Sequence, residues 1–148
     1  MKILVMNGPN INLTGERKAE HYGTLTLDEI NAKIAKRAAE LGVEVEFYQS
    51  NHEGALIDRL HAARPLANGG IDAIVLNAGA YTHYSYAIRD AIEAIKLPVV
   101  EVHMSNIHER EGFRRVSVIE EVCIKQISGH GADSYIFGLE AAVNAVKE

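Results

Sequence analysis

The chain is poor in cysteine, with Cys123 alone among 148 residues. A single thiol forms no internal disulfide, which fits a reducing cytoplasm. Cys123 lies in an apolar run and reads as a buried, inert thiol. No apolar run is long enough to span a bilayer. The N-terminus lacks the basic flank, long apolar segment and cleavage site of a signal peptide. Basic charge is also in deficit. The net charge of −5 argues against broad nucleic-acid or lipid-headgroup binding, but not against a small anionic substrate. Repeats, linkers and low-complexity segments are missing, so 1–148 reads as one domain.

What the chain has is three strand-like runs that each end in a polar turn. Ile3 to Met6 leads into Asn7-Gly8-Pro9-Asn10, and Ala73 to Leu76 into Asn77 through His83. Val99 to Val102 leads into His103-Met104-Ser105-Asn106. Short β-branched runs of this kind read as strands buried on both faces. Ligands bind beyond the carboxyl ends of such strands in open parallel sheets. The three ends are therefore expected to converge on one site.

Between them the pattern alternates strand and helix. Asn7 to Leu25 reads as a long functional loop. Thr26 to Glu29 forms a capping box, and Leu27, Ile30, Ile34, Ala38 and Leu41 keep helical spacing up to Gly42. Val43 to Tyr48 alternates, as a strand near an edge does. Ser50 to Glu53 reads as a second capping box for a helix burying Leu56, Ile57 and Leu60. Ser85 to Ile95 is a third helix. A polar loop from Ser105 to Arg115 follows the fourth strand, and Ser117 to Ser128 holds a fifth. Gly129-His130-Gly131 turns into a last helix with Ile136, Leu139, Val143 and Val146 inward. The result is a doubly wound α/β sheet with right-handed crossovers.

Glu101 and His103 lie two apart on a strand, so both point the same way. A carboxylate beside an imidazole orients it and raises its proton affinity, giving an acid or base. A buried ion pair is the bland alternative. The neighbouring His83 and Asn77 favour function. A metal is the rival use of His83, Glu101, His103 and His108. His108-Glu109-Arg110-Glu111-Gly112 begins like a zincin helix but lacks the second histidine, and nearby arginines repel a cation. No metal or cofactor is expected. His21, His52, His61 and His130 read as surface or capping residues. Arg110, Arg114 and Arg115 cluster, which alone suggests a solvated face. Tyr22 follows Arg17 by five residues. A free tyrosine is a poor base near neutrality, and arginine charge favours its phenolate.

Taken together the residues resemble type II 3-dehydroquinate dehydratase, the small dehydroquinase of the shikimate pathway. The matching segments are Asn7 to Asn10 with Asn12-Leu13, Gly15, Arg17 and Tyr22-Gly23; Gln49 to Asn51; Asn77 to Gly79 with Thr82-His83; and Arg89-Asp90. They continue with Glu101 to His103, Ser105-Asn106, Arg110-Glu111, Phe113-Arg114 and Gly131 to Tyr135. The resemblance implies a flavodoxin-like, five-stranded parallel sheet in the order 2-1-3-4-5. It implies anti elimination of water from 3-dehydroquinate through an enolate. By position, Tyr22 is the base, Arg17 holds its phenolate, and Asn10 stabilises the enolate through a water. His103, oriented by Glu101, protonates the departing hydroxyl. Asn77 and the amides of Met104 and Ser105 hold the carboxylate, and His83 and Arg114 the ring hydroxyls. Arg17, Tyr22 and Arg110 belong to a lid. Asp90 serves a neighbouring subunit in a dodecamer, a tetramer of trimers. The chain departs from the family at Lys18-Ala19, where Glu-Pro is usual, at Gly112 and at His130. A flavodoxin-like binding or signalling module without catalysis is the alternative. Asn7 stands where a response regulator needs an acidic pair, and the turn after the first strand has Asn and Pro where a flavin module needs a hydroxyl- and Gly-rich phosphate loop.

Overall fold

A computed structural model describes all of residues 1–148. Its sheet has five parallel strands, β1 (Lys2–Asn7), β2 (Glu44–Gln49), β3 (Ala73–Asn77), β4 (Val99–His103) and β5 (Lys125–Ser128). They lie in the order β2-β1-β3-β4-β5, the flavodoxin-like order expected. β3 and β4 are buried throughout and β1 beyond Lys2, whereas β2 sits on an edge and is half-exposed.

Alternation along each central strand splits the core in two. Ile3, Val5, Val75, Val100 and Val102 face α2 (Leu27–Leu41) and α5 (Asp133–Lys147). Leu4, Met6, Ile74, Leu76 and Val99 face α3 (Glu53–Ala63) and α4 (Tyr86–Ile95). Chain connections leave β1 toward one face and β3 toward the other, which opens a crevice at their carboxyl ends. No helix is long and apolar enough to cross a membrane.

The first capping box forms as expected. Glu29 N–H donates to Thr26 Oγ1 at 3.2 Å, and Thr26 N–H donates to Glu29 Oε1 at 3.2 Å. The second does not. α3 starts later, with His52 as its cap, so Glu53 is the first helical residue instead of the third. Ser50 Oγ instead accepts from His52 N–H, and Glu53 accepts from Ser85 Oγ at 2.5 Å. That serine also caps α4, accepting from Ile88 N–H. The long first loop is more structured than expected. It contains a 3-10 turn at Ile11–Leu13 and a short helix, α1 (Ala19–Tyr22). Of the last helix's expected inward residues, Ile136 and Val146 are only half-buried, while Tyr135 and Gly138 reach the core. Ile57 is likewise half-buried. Cys123 packs partly against the core, where burial pushes its thiol well above the usual range, so it stays protonated.

Gly8 and Gly138 are among the places where a missing side chain permits close approach. At Gly8 a Cβ would meet Ala78 O at 2.4 Å, where Gly8 N–H donates to Asn77 O at 2.7 Å. At Gly138 it would meet Val102 Cγ1 at 2.6 Å, so α5 lies unusually near the sheet. Gly138→Ala should destabilise the fold by about 1–3 kcal/mol through overpacking, despite alanine's better helix propensity. Urea unfolding checks this as a lower midpoint.

Candidate active site

The cleft opens where β1, β3 and β4 end. It encloses about 90 Å³ and draws on loops from all three strands. Asn10, Arg17, Tyr22, Asn77, His83, His103, Met104, Ser105, Arg110 and Arg114 all line it. Glu101 does not touch the cleft but lies behind His103. Asp90 is exposed on α4 and does not line the cleft. Arg115 also stays outside, donating from Nε to Arg110 O at 2.6 Å. The solvated-face reading of the arginine cluster thus fails for Arg110 and Arg114. No group of three His, Cys, Asp or Glu side chains is placed to hold a metal ion.

The floor is a hydrogen-bonded bridge. Asn7 and Asn77 are register partners on β1 and β3. Tyr135, on α5 and fully buried, donates to Asn7 Oδ1 at 2.5 Å and accepts from Asn77 Nδ2 at 2.9 Å. Burial pushes its phenol well above the usual tyrosine range, so it remains a donor. Gly79 N–H donates to Asn77 Oδ1 at 3.1 Å. Both ends of the Asn77 amide are thereby fixed, and one Nδ2–H is left for a ligand. Asn10 takes a left-handed backbone with φ 69°, and its N–H donates to Asn51 Oδ1 at 3.0 Å.

On one wall His103 Nε2–H donates to Glu101 Oε2 at 2.5 Å. Both are buried, and Nδ1 of His103 has no protein partner. Glu101 also receives Ser117 Oγ at 2.9 Å and Gln126 Nε2 at 3.2 Å. Sequence reasoning missed Ser117, Gln126 and Tyr135. A signal existed for Gln126, a polar residue in the fifth strand and the register partner of Glu101. That register was not legible without the strand's limits.

On the facing wall Tyr22 closes α1. Arg17 does not reach its hydroxyl; the guanidinium carbon lies 3.7 Å from the ring centroid, a cation–π contact. The hydroxyl instead accepts from Arg110 Nη1 and Nη2 at 3.4 Å. Arg110 also donates to Ser105 Oγ at 3.1 Å, while its buried Nε has no hydrogen-bond partner. Exposed Glu111 takes Arg114 Nε at 2.6 Å and lies 3.6 Å from Arg110 Nε. Its own backbone N–H, then Arg114, hold its carboxyl at about 2.

His83 Nδ1–H donates to Val116 O at 2.7 Å, which leaves Nε2 as an acceptor. Burial is the main force holding its pKa below the ordinary 6.5; the Val116 bond opposes this, and His103 and Arg114 add to it.

A family model described as dehydroquinase class II matches residues 1–143. The chain belongs to that family. The 3-dehydroquinate dehydratase of Syntrophotalea carbinolica is 56% identical over 99% of this chain and 97% of its own. That of Geotalea daltonii is 54% identical over 100% of both. Among solved structures, the type II dehydroquinase of Butyrivibrio crossotus has a TM-score of 0.91 at 46% identity, covering 100% of this chain and 98% of its own.

Two predictions come from the walls of this dehydroquinase cleft. Because the His83 pKa is depressed, the folded state binds fewer protons than the unfolded one. The His83 contribution to stability is therefore full above 6.5 and is lost progressively as pH falls from there through the depressed folded value. His83→Asn should flatten this part of the stability profile, read by thermal melts between about pH 7 and 5. Separately, Ala19 is the first residue of α1, and its N–H donates to no backbone carbonyl. Proline is accommodated there. Ala19→Pro should stabilise by about 0.4–1 kcal/mol and lower KM by holding Tyr22 in place. Melting and steady-state kinetics check both.

Proposed function

We propose that the chain is a hydro-lyase of the shikimate pathway, converting 3-dehydroquinate reversibly to 3-dehydroshikimate by anti elimination. Family membership and full-length relatives bearing that name support the activity. One observation carries the mechanism: a phenol between two guanidinium groups and a histidine backed by a buried carboxylate line the same cleft.

Removal of a proton alpha to a ketone needs a base, donors for the enolate and an acid for the leaving hydroxide. Tyr22 takes the C2 proton. Negative charge on its oxygen is met by Arg110 at the hydroxyl and by Arg17 over the ring. Asn10 stabilises the enolate through a water. His103, doubly protonated at this step, gives its Nδ1 proton to the C1 hydroxyl, which departs as water, and becomes neutral with Nε2–H still hydrogen-bonded to Glu101. The substrate carboxylate takes the free Nδ2–H of Asn77 and the backbone N–H groups of Met104 and Ser105. His83, neutral through burial, accepts from a ring hydroxyl, and Arg114 donates to one. Arg17, Tyr22 and Arg110 move together as a lid. No cofactor is required.

The whole chain acts as one catalytic domain in the cytoplasm. It assembles as a dodecamer, a tetramer of trimers, in which Asp90 reaches a neighbouring subunit's cleft. The exposed place of Asp90 on α4 is compatible with that role. Light scattering showing an active monomer would remove it.

Ultraviolet absorbance of the conjugated enone formed from 3-dehydroquinate tests the activity. Turnover should survive a metal chelator and borohydride, since no lysine lines the cleft to form an imine. Tyr22→Phe should abolish turnover while calorimetric binding of a product analogue persists. Near-normal turnover by that variant would mean that another group is the base.

A further inference from the structure

We propose that Gln126 and Ser117 are positioning residues for the reaction, acting through Glu101 on His103, and that His108 fixes the Gln126 amide. This rests on the dehydratase reading above. Glu101 is fully buried in the middle of the sheet, between Leu76 of β3 and Gln126 of β5 in register. Leucine offers no donor, so apart from His103 itself the carboxylate depends on the β5 side and the loop before it. A buried carboxylate whose donors are removed is left under-satisfied and free to turn.

Each donor has its own orientation fixed. Ser117 Oγ lies 3.0 and 2.9 Å from the two Glu101 oxygens and accepts from Glu120 N–H at 3.1 Å. With that lone pair occupied, its proton goes to the carboxylate. Gln126 is held at both ends of its amide. Nε2 donates to Glu101 at 3.2 Å, and Oε1 accepts from His108 Nε2–H at 3.0 Å. The flipped amide would set oxygen against carboxylate and N–H against N–H. A line of contacts thus runs from exposed His108 through Gln126 and Glu101 to His103. Neither Gln126 nor Ser117 lines the cleft. Their effect belongs in kcat, with substrate binding spared.

The test uses full-length variants in the enone assay. Gln126→Met keeps side-chain length and loses the donor; Ser117→Ala loses the hydroxyl. Each should lower kcat about tenfold or more, as loss of a hydrogen bond to a charged group does, with KM nearly unchanged. Ser117→Thr should restore most of the rate. His108→Ala should cost about threefold and His108→Gln less, since glutamine still donates. In a Glu101→Gln background, Gln126→Met should add little, because both act through one group. A second readout needs no turnover: the downfield proton resonance of His103 Nε2–H should shift or broaden in Gln126→Met. Wild-type kcat in Gln126→Met and Ser117→Ala, or full additivity with Glu101→Gln, would overturn the inference. If Gln126→Met does not fold, Ser117→Ala and His108→Ala decide by the same criteria. A wild-type chain that does not turn over 3-dehydroquinate would overturn the dehydratase reading instead. An unmoved His103 resonance would then still overturn this one.

Discussion

The hydroxyl of Tyr135 ties α5 to the ends of β1 and β3, two strands already paired through their backbones. It hydrogen-bonds a residue of β1 and a residue of β3 while its ring fills the core beneath them. A buried phenol without partners is costly, so the bridge specifies one arrangement of these elements and disfavours others. The same bridge aims Asn77. Packing and the shape of the cleft therefore share one set of hydrogen bonds, and the floor is anchored in the core below it. Gly8 completes the arrangement by letting the first and third loops touch through backbone alone.

The two walls are built on opposite principles. The Glu101–His103 wall is buried and lies on a central strand, and its carboxylate takes hydrogen bonds from His103, Ser117 and Gln126. Its geometry is set before any ligand arrives, as electrostatic preorganisation requires. The Tyr22 wall hangs on a single turn of helix, α1, with no buried residue of its own. A helix that short is not stable alone. It is held by Arg17 and Arg110, residues that also line the cleft. One wall is scaffold, and the other is assembled from parts that can come apart.

The fold was legible because its signals are local and repeated. Runs such as Ile74-Val75-Leu76 declare a strand buried on both faces, and Thr26 with Glu29 declares a helix start. Strand-end position then brought Asn77, His83 and His103 together on paper as in space. What was not legible depends on register or on competition between partners. Ser50 and Glu53 match a capping box, yet each finds a better partner elsewhere once α3 begins at Glu53. Gln126 looks ordinary until its strand is placed beside Glu101. Tyr135 belongs to a recognisable segment, but its bridging role needs α5 docked on the sheet. Resemblance linked Arg17 to the Tyr22 phenolate, but only geometry shows it stacked on the ring while Arg110 takes the hydroxyl.

Glu111 adds a consequence for affinity. Its carboxylate already engages Arg114 and lies close to Arg110 at the mouth of the cleft. An incoming anion therefore meets guanidinium groups that are partly spoken for. What it gains there is the difference between two pairings, one internal and one external, and not the full attraction of bare cations. Glu111 acts as a built-in competitor. Small adventitious anions that offer charge alone gain little by displacing it. In the proposed reaction, a ligand that also meets the floor and the two histidines has more to gain from that exchange, which places selectivity at the entrance, before any bond is broken.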